Sequence, residues 1–265
     1  MKQLASRRST AQILAIIVAV VLQIGATFLP QLGMGDPIGE RSDSVRTLIT
    51  PSGWAFAIWG PLFFGSAAFA MWQALPSQRN NDLVGRIGWA AMLALGLQGV
   101  WAIYTQFANL TVISAIVIIA SLVGLLSIMR TMTHLGRDMT GTERLVVGVT
   151  FSALAAWLTA ATIVNISASL VYHGVMGSPE TGAQFPAVTA AIVAVGGAIA
   201  ALATYRSRGN PWYAAVFCWA LTAIYFRGGQ EAGIIAAACI VSGVVVIKAC
   251  IAALRVPANR RRWLG

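Results

Sequence analysis

Two short stretches hold the residue types that could do chemistry. Gln98, Trp101 and Thr105 recur at i, i+3 and i+7, so they share one face of a helix. Further on, Trp157, Ala161, Asn165 and Ser169 recur every four residues, with Thr162 flanking the stripe. Both stretches are embedded in apolar sequence, where a carboxamide facing lipid is expensive, so Gln98 and Asn165 are expected to point at other helices or into a cavity. Composition leaves two readings open. The amides are hydrogen-bonding glue between helices, worth about 1 kcal/mol each. Alternatively, with the indoles on the same faces, they line an aromatic pocket with a few polar anchors, the usual make-up of a small-molecule site.

Other reactive types are sparse. Cys218, Cys239 and Cys250 lie in apolar runs without zinc-ligand or redox spacing and read as packing residues. His134 falls in a loop. His173, at the end of an apolar run beside Tyr172, could ligate haem iron, although a His–Tyr pair is ordinary composition at a membrane boundary. No Ser/His/Asp set, glycine-rich phosphate loop or carboxylate pair is spaced for a reaction, so the chain reads as a non-enzyme.

The elements that must position these residues follow from composition. The chain has 265 residues, 58% hydrophobic and only 10% charged, with a mean hydropathy of +0.76. Soluble domains carry about a quarter charged residues, so a water-soluble fold is excluded, and disorder or a disulfide scaffold with it. Eight apolar runs are long enough to be membrane helices, at about 11–29, 53–75, 86–106, 109–129, 145–172, 186–205, 211–226 and 231–254. The run at 211–226 is short for a full crossing. The expected fold is all-α, a polytopic integral membrane helical bundle of about eight transmembrane helices.

The net charge of +10 is an orientation signal. With both termini cytoplasmic, all of the eighteen Lys and Arg fall on the inner side except Arg41, Arg46 and Arg227. That distribution favours membrane lipid over nucleic acid as the partner of the positive charge. The first run follows Lys2, Arg7 and Arg8 but lacks a small-residue cleavage site, and reads as a retained helix rather than a leader. A bacterial cytoplasmic (inner) membrane is the expected location. Acids sit in loops (Asp36, Glu40, Asp43, Asp82, Asp138, Glu143, Glu180) or, for Glu231, at the first turn of the last helix. No crossing has a mid-span carboxylate, which argues against a proton- or cation-coupled pump.

At the aromatic and amide residues the sequence resembles the translocator-protein family, the tryptophan-rich sensory proteins or TspO/MBR. PSGWAFAIWGPLFF at 51–64 is similar to the family's Pro-x-Gly-Trp-x-Phe second-helix signature. LGLQGVWAIY at 95–104 resembles the third-helix pattern, and AAWLTAATIVNISASL at 155–170 the fifth-helix pattern Ala-Trp-x-x-x-Ala-Thr-x-x-Asn. The Trp54 to Trp59 spacing is similar to that of the longer, multi-helix branch. Gln98 stands where the family commonly has Asn, and no basic residue follows Tyr172 to complete a sterol-recognition pattern, so no sterol specificity is expected.

The resemblance implies a five-helix core at 1–175, followed at 176–265 by three more transmembrane helices and a basic tail. It implies a ligand site walled by Trp54, Trp59, Phe63, Gln98, Trp101, Trp157, Ala161, Thr162 and Asn165, with the loop at 30–50 as a lid whose Asp36, Glu40 and Asp43 could pair with Arg41 and Arg46. The implied function is a membrane receptor or sensor for a flat hydrophobic molecule such as a porphyrin. The rivals are a small-molecule transporter or exporter and, behind both, a porphyrin- or lipid-modifying enzyme. No cofactor is required, a porphyrin or haem entering only as ligand, and a homodimer is compatible with the small residues Ala190, Ala194 and Ala198 on the sixth run, read as a close-packing face.

Overall fold

The computed structural model describes residues 8–178, 185–227 and 232–265, so Lys2, Arg7, Glu180 and Glu231 lie outside the described residues. Among the described residues there are helices and no strands. In chain order they are α1 (Thr10–Gly25), α2 (Ile38–Ser44), α3 (Trp59–Ala74), α4 (Asp82–Ala108), α5 (Val112–Thr133), the single turn α6 (Gly141–Glu143), α7 (Thr150–Tyr172), α8 (Pro186–Arg206), α9 (Pro211–Tyr225), α10 (Gly233–Leu254) and α11 (Pro257–Leu264). A 3-10 turn at Gly53–Ile58 leads into α3, and a π-helical stretch at Arg144–Val149 joins α6 to α7.

Among the described residues seven segments are long and apolar enough to cross a bilayer, and α9 is a shorter apolar helix. At 15 residues it spans about 22 Å against a hydrocarbon core of about 30 Å. Val18, Phe64, Ile116, Val195 and Val241 are each more than half exposed, an apolar outer surface that only a lipid environment tolerates at this extent. The protein is an integral membrane helical bundle.

Helix starts follow local chemistry. The side chains of Ser9, Asn81, Thr111 and Asn210 accept hydrogen bonds from the first-turn N–H groups of α1, α4, α5 and α9, donors that have no partner within their own helix. Thr140 and Glu143 form a capping box at α6. The Asn81 cap starts α4 before the expected 86, in backbone that hydropathy alone does not reach, whereas the Thr111 cap starts α5 three residues after the expected 109. The chain turns between α4 and α5 at Asn109, whose φ of 72° suits a short polar side chain.

Helices close on one another where side chains are small. α1 packs along α4, α4 along α5, α5 along α7, and α8 along α10. A Cβ added at Gly99 would meet the Leu22 backbone at 2.8 Å, and one added at Gly197 would meet Ser242 Oγ at 2.3 Å. The face expected on the sixth run is therefore displaced. Ala190 is buried, but Ala194 and Ala198 are exposed, while Val193 and Gly197 meet Ser242 of α10 and Gly196 faces Ile163 of α7, because glycine admits a neighbouring helix closer than an alanine row does.

Polar residues tie the basic end together. Buried Arg8 donates to Gln12 Oε1, to the Gln73 carbonyl and to Gln73 Oε1. Glu143, only 2% exposed at its side chain, receives two bonds of 2.7 Å from Arg137, one from Asn81 and one from the Thr140 N–H. At this end too, Arg262 of α11 donates to the Met132 and Leu135 carbonyls, and Trp263 donates to the Ser207 carbonyl.

Candidate functional site

At the opposite end, the two stretches of sequence that could carry chemistry face each other. α7 presents Trp157, Ala160, Ala161, Val164 and Asn165 to a cavity of about 50 Å³. α4 adds Trp101, the 3-10 turn before α3 adds Phe56, and α9 adds Ala220 and Ile224, while Ile38, Ser42, Pro51 and Leu110 close the loop end. A deeper cavity of about 30 Å³ shares Phe56, Trp101, Trp157 and Ala161 and is bounded also by Trp59, Gln98, Ile118, Ser121 and Leu158. Both are small beside the several hundred Å³ of an ordinary small-molecule pocket.

Both mid-run tryptophans point inward, Trp157 at 4% exposure and Trp101 at 8%. Phe56 and Trp59 meet the Trp157 ring edge to face, at 6.2 Å and 81° and at 6.1 Å and 84°, the geometry that aromatic quadrupoles favour. Neither the Trp101 nor the Trp157 indole nitrogen has a hydrogen-bond partner among the described residues. Asn165 is half satisfied. Ser114 Oγ, with one proton, lies 2.7 Å from the Thr111 carbonyl and 3.0 Å from Asn165 Oδ1; whichever way the carboxamide is turned, one of its polar atoms lacks a partner. Each buried polar atom left so costs about 1–3 kcal/mol. Gln23, Ser66, Gln106, Thr162, Trp212 and Arg262 also have unpartnered atoms, but these residues do not line either cavity.

The two amides thus divide the two readings between them. Gln98 Oε1 accepts from Gln23 Nε2 at 2.9 Å, and its own Nε2 donates to the Ala94 carbonyl at 3.2 Å; it borders the deeper cavity but is spent on joining α4 to α1. Asn165 keeps an atom free at the upper wall.

The nine residues expected at the site are only partly brought together. Trp59, Gln98, Trp101, Trp157, Ala161 and Asn165 line one or both cavities. Trp54 does not. It is 43% exposed and packs edge-on against Trp219 of α9 at 4.9 Å, about 120° around the 3-10 turn from Phe56. Phe63 lies against Trp59, ring centroids 5.1 Å apart, one turn behind the wall. Thr162 is buried but follows Ala161 by about 100° around α7, so it borders neither cavity. Phe56 was overlooked although it is the last residue of the Pro-x-Gly-Trp-x-Phe signature. Ala220 and Ile224 of α9 carry no sequence signal, being ordinary apolar residues.

α9 also grips the segment that opens the second membrane span. The Ala223 carbonyl accepts from the Ser52 N–H and hydroxyl at 3.0 and 3.1 Å. Trp219 Nε1 donates to the Ala55 carbonyl, and Arg227 donates to the Pro51 carbonyl. The loop before this segment is pinned rather than loose. Arg41 pairs with Asp36 at 2.7 Å and donates to the Gln106 carbonyl, while Asp43 pairs with Arg227 at 2.7 Å. The expected partnership of Asp43 with Arg41 or Arg46 is replaced by one that reaches the α9–α10 connection. Gly35, at φ +72°, lets the loop backbone lie on α4, where a Cβ would meet Gln106 at 3.1 Å. His173 Nε2, the atom a haem iron would need, accepts the Val112 N–H at 3.3 Å.

Comparison with known families gives one match. A family model described as TSPO-like protein matches residues 9–252, all eight apolar helices almost to the end of α10 and not only the first five. No curated protein and no solved structure matches the chain. The chain belongs to the TSPO-like family.

Proposed function

From membership of the TSPO-like family, a family of membrane binding and sensory proteins, we propose that this protein is a receptor or sensor for a flat, hydrophobic molecule whose polar edge presents hydrogen-bond acceptors, a porphyrin-like tetrapyrrole being the leading candidate. The observation that supports this reading most is the pair of buried, unpartnered indole N–H groups of Trp101 and Trp157 beside a half-satisfied Asn165. An acceptor-bearing ligand would recover hydrogen bonds that the protein alone forgoes, in a medium where each is costly to leave unmade. The ring faces would supply stacking area.

Cavities of about 50 and 30 Å³ do not admit a tetrapyrrole as they stand. Binding therefore requires α2 and the loop around it to lift from the Gln106 carbonyl and from Arg227. With the basic end taken as cytoplasmic, the mouth opens on the outer side of a bacterial inner membrane. The experiment is a titration of purified protein with protoporphyrin while tryptophan fluorescence is followed. Saturable quenching is expected, and Trp157→Phe and Asn165→Ala should each weaken it; unchanged affinity in both variants removes the assigned site.

A transporter is the second reading. It is favoured by α9, a helix too short to cross alone whose Ala220 and Ile224 form part of the wall, since broken or short helices often flank a translocated substrate. Flux of the same porphyrin across vesicles, lost in the Trp157 variant, would select it.

A further inference from the structure

At the basic end, far from the aromatic hollow, α5 and α8 part to leave a cleft of about 440 Å³. Its inner wall is apolar, from Leu126, Met129 and Ala203, and its rim carries Arg130, His134 and Arg206. All three rim residues are exposed. α5 packs mainly on α4 and α7, and α8 mainly on α10 with a lighter contact to α7, so the gap between α5 and α8 is built into the bundle.

Last-turn arginines have an ordinary explanation, compensation of the helix dipole. Here that need is largely met by other groups. Arg262, inserted from α11, donates to the Met132 and Leu135 carbonyls, and His134 Nδ1 lies 2.9 Å from the Arg130 carbonyl, so the end of α5 is already satisfied. Each helix end carries about half a negative charge, which two guanidinium groups exceed by about one unit before Arg262 is counted. No carboxylate lines the cleft. Of the described acids at this end, Asp82 pairs with Arg86 and Glu143 with Arg137, while Asp138 acts on Arg262. Neither Arg130 nor Arg206 has an ion pair among the described residues. Trp263, donating to the Ser207 carbonyl, joins α11 to the end of α8 and holds the arrangement from behind.

We propose that this cleft is a binding site for an anionic phospholipid, with the phosphodiester between Arg130 and Arg206 and an acyl chain along Leu126, Met129 and Ala203. A basic rim over an apolar gap between two membrane helices matches that amphiphile and no soluble anion equally well. Guanidinium groups supply paired donors suited to phosphate oxygens. The lipid acts as a wedge filling the space that the packing of α5 and α8 on mainly different neighbours leaves empty.

The test uses the full chain, delipidated in detergent and titrated with dioleoylphosphatidylglycerol or dioleoylphosphatidylcholine, with bound lipid read by native mass spectrometry. The anionic lipid should be retained under activation that strips the zwitterionic one. The double variant R130Q/R206Q should weaken its binding by about tenfold or more, while Arg86→Gln, a basic-end residue outside the cleft, leaves it unchanged. Ala203→Trp, which fills the apolar wall and keeps the charges, should also displace the lipid. Melting without lipid checks that every variant is folded, and Ala203→Trp decides the matter if the double variant is not. Equal retention of both lipids, equal loss in Arg86→Gln, persistence of binding in Ala203→Trp, or displacement by inorganic phosphate as effectively as by lipid overturns the proposal.

Discussion

The two ends of the bundle differ in how their central buried polar groups are satisfied. At the basic end the central groups are satisfied several times over, although Arg262 Nε and Trp212 Nε1 there have no partner: Glu143 accepts from Arg137, Asn81 and Thr140, and Arg8 spans Gln12 and Gln73. At the loop end the indoles of Trp101 and Trp157 have no partner and Asn165 has one for only half of its carboxamide. A fully connected network fixes helices in place, whereas donors left open cost stability unless something else completes them. The first end is scaffold, and the second is where a ligand would return energy to the protein.

The largest effect should come from breaking the scaffold. Glu143→Ala leaves Arg137, Asn81 and the Thr140 N–H without their common acceptor. Arg137 is 41% exposed, so water recovers part of the loss, and about 2–3 kcal/mol is expected. The thermal midpoint in detergent should fall clearly while porphyrin quenching of the still-folded protein at low temperature is unchanged. A variant that lost ligand affinity without losing stability would erase the distinction between the two ends. Gly99→Ala tests helix packing beside the cavity walls: its Cβ meets Leu22 backbone at 2.8 Å, which cannot rotate aside, and about 1–3 kcal/mol should be lost as α1 is pushed from α4.

Trp157→Phe should do the reverse. Deleting an unpartnered N–H offsets much of the packing lost with the larger ring, so stability should change by less than about 1 kcal/mol. Ligand affinity should fall about tenfold, the worth of one buried hydrogen bond. Trp54→Phe, off the cavity wall, should leave affinity within about twofold on the same grounds. A Trp54 variant as impaired as the Trp157 variant would place the site on the α9 side of the turn.

The same contrast explains what could be read from residues alone. Eight apolar runs, and the shortness of the seventh, were legible because a bilayer demands continuous hydrophobicity of fixed length. Trp101, Trp157 and Asn165 were legible because indoles and an amide inside such runs have few alternatives to an interior. Trp54 is expected on the wall only from its place in the second-helix signature, whereas the 3-10 turn at Gly53–Ile58 packs it against Trp219, off both cavity walls. The α8 contact with α10 runs through Val193 and Gly197 rather than Ala194 and Ala198. Small residues occur all around that helix, so spacing cannot choose a face until the partner α10 is known. Ala220 and Ile224 were invisible because long-range packing alone gives them a role.

The smallest effect sharpens the comparison most. Asp43→Asn removes the ion pair to Arg227, whose side chains are 54% and 25% exposed. Such a pair is worth about 0.5 kcal/mol, too little to register against the scaffold of the basic end. Its position gives it leverage all the same. It fastens α2, whose Ile38 and Ser42 close the cavity, to the connection that leaves α9, and a ligand wider than the present hollow must break it to enter. Asp43→Asn should therefore leave the melting midpoint within about 1 °C while raising the association rate of protoporphyrin about twofold, measured by stopped-flow quenching. High salt should reproduce the acceleration in the wild-type chain but add nothing in the variant, since screening acts on a pair that the variant no longer has. An association rate indifferent to both salt and substitution would mean that ligands enter laterally between helices, and the straps at the loop end would then belong with the scaffold.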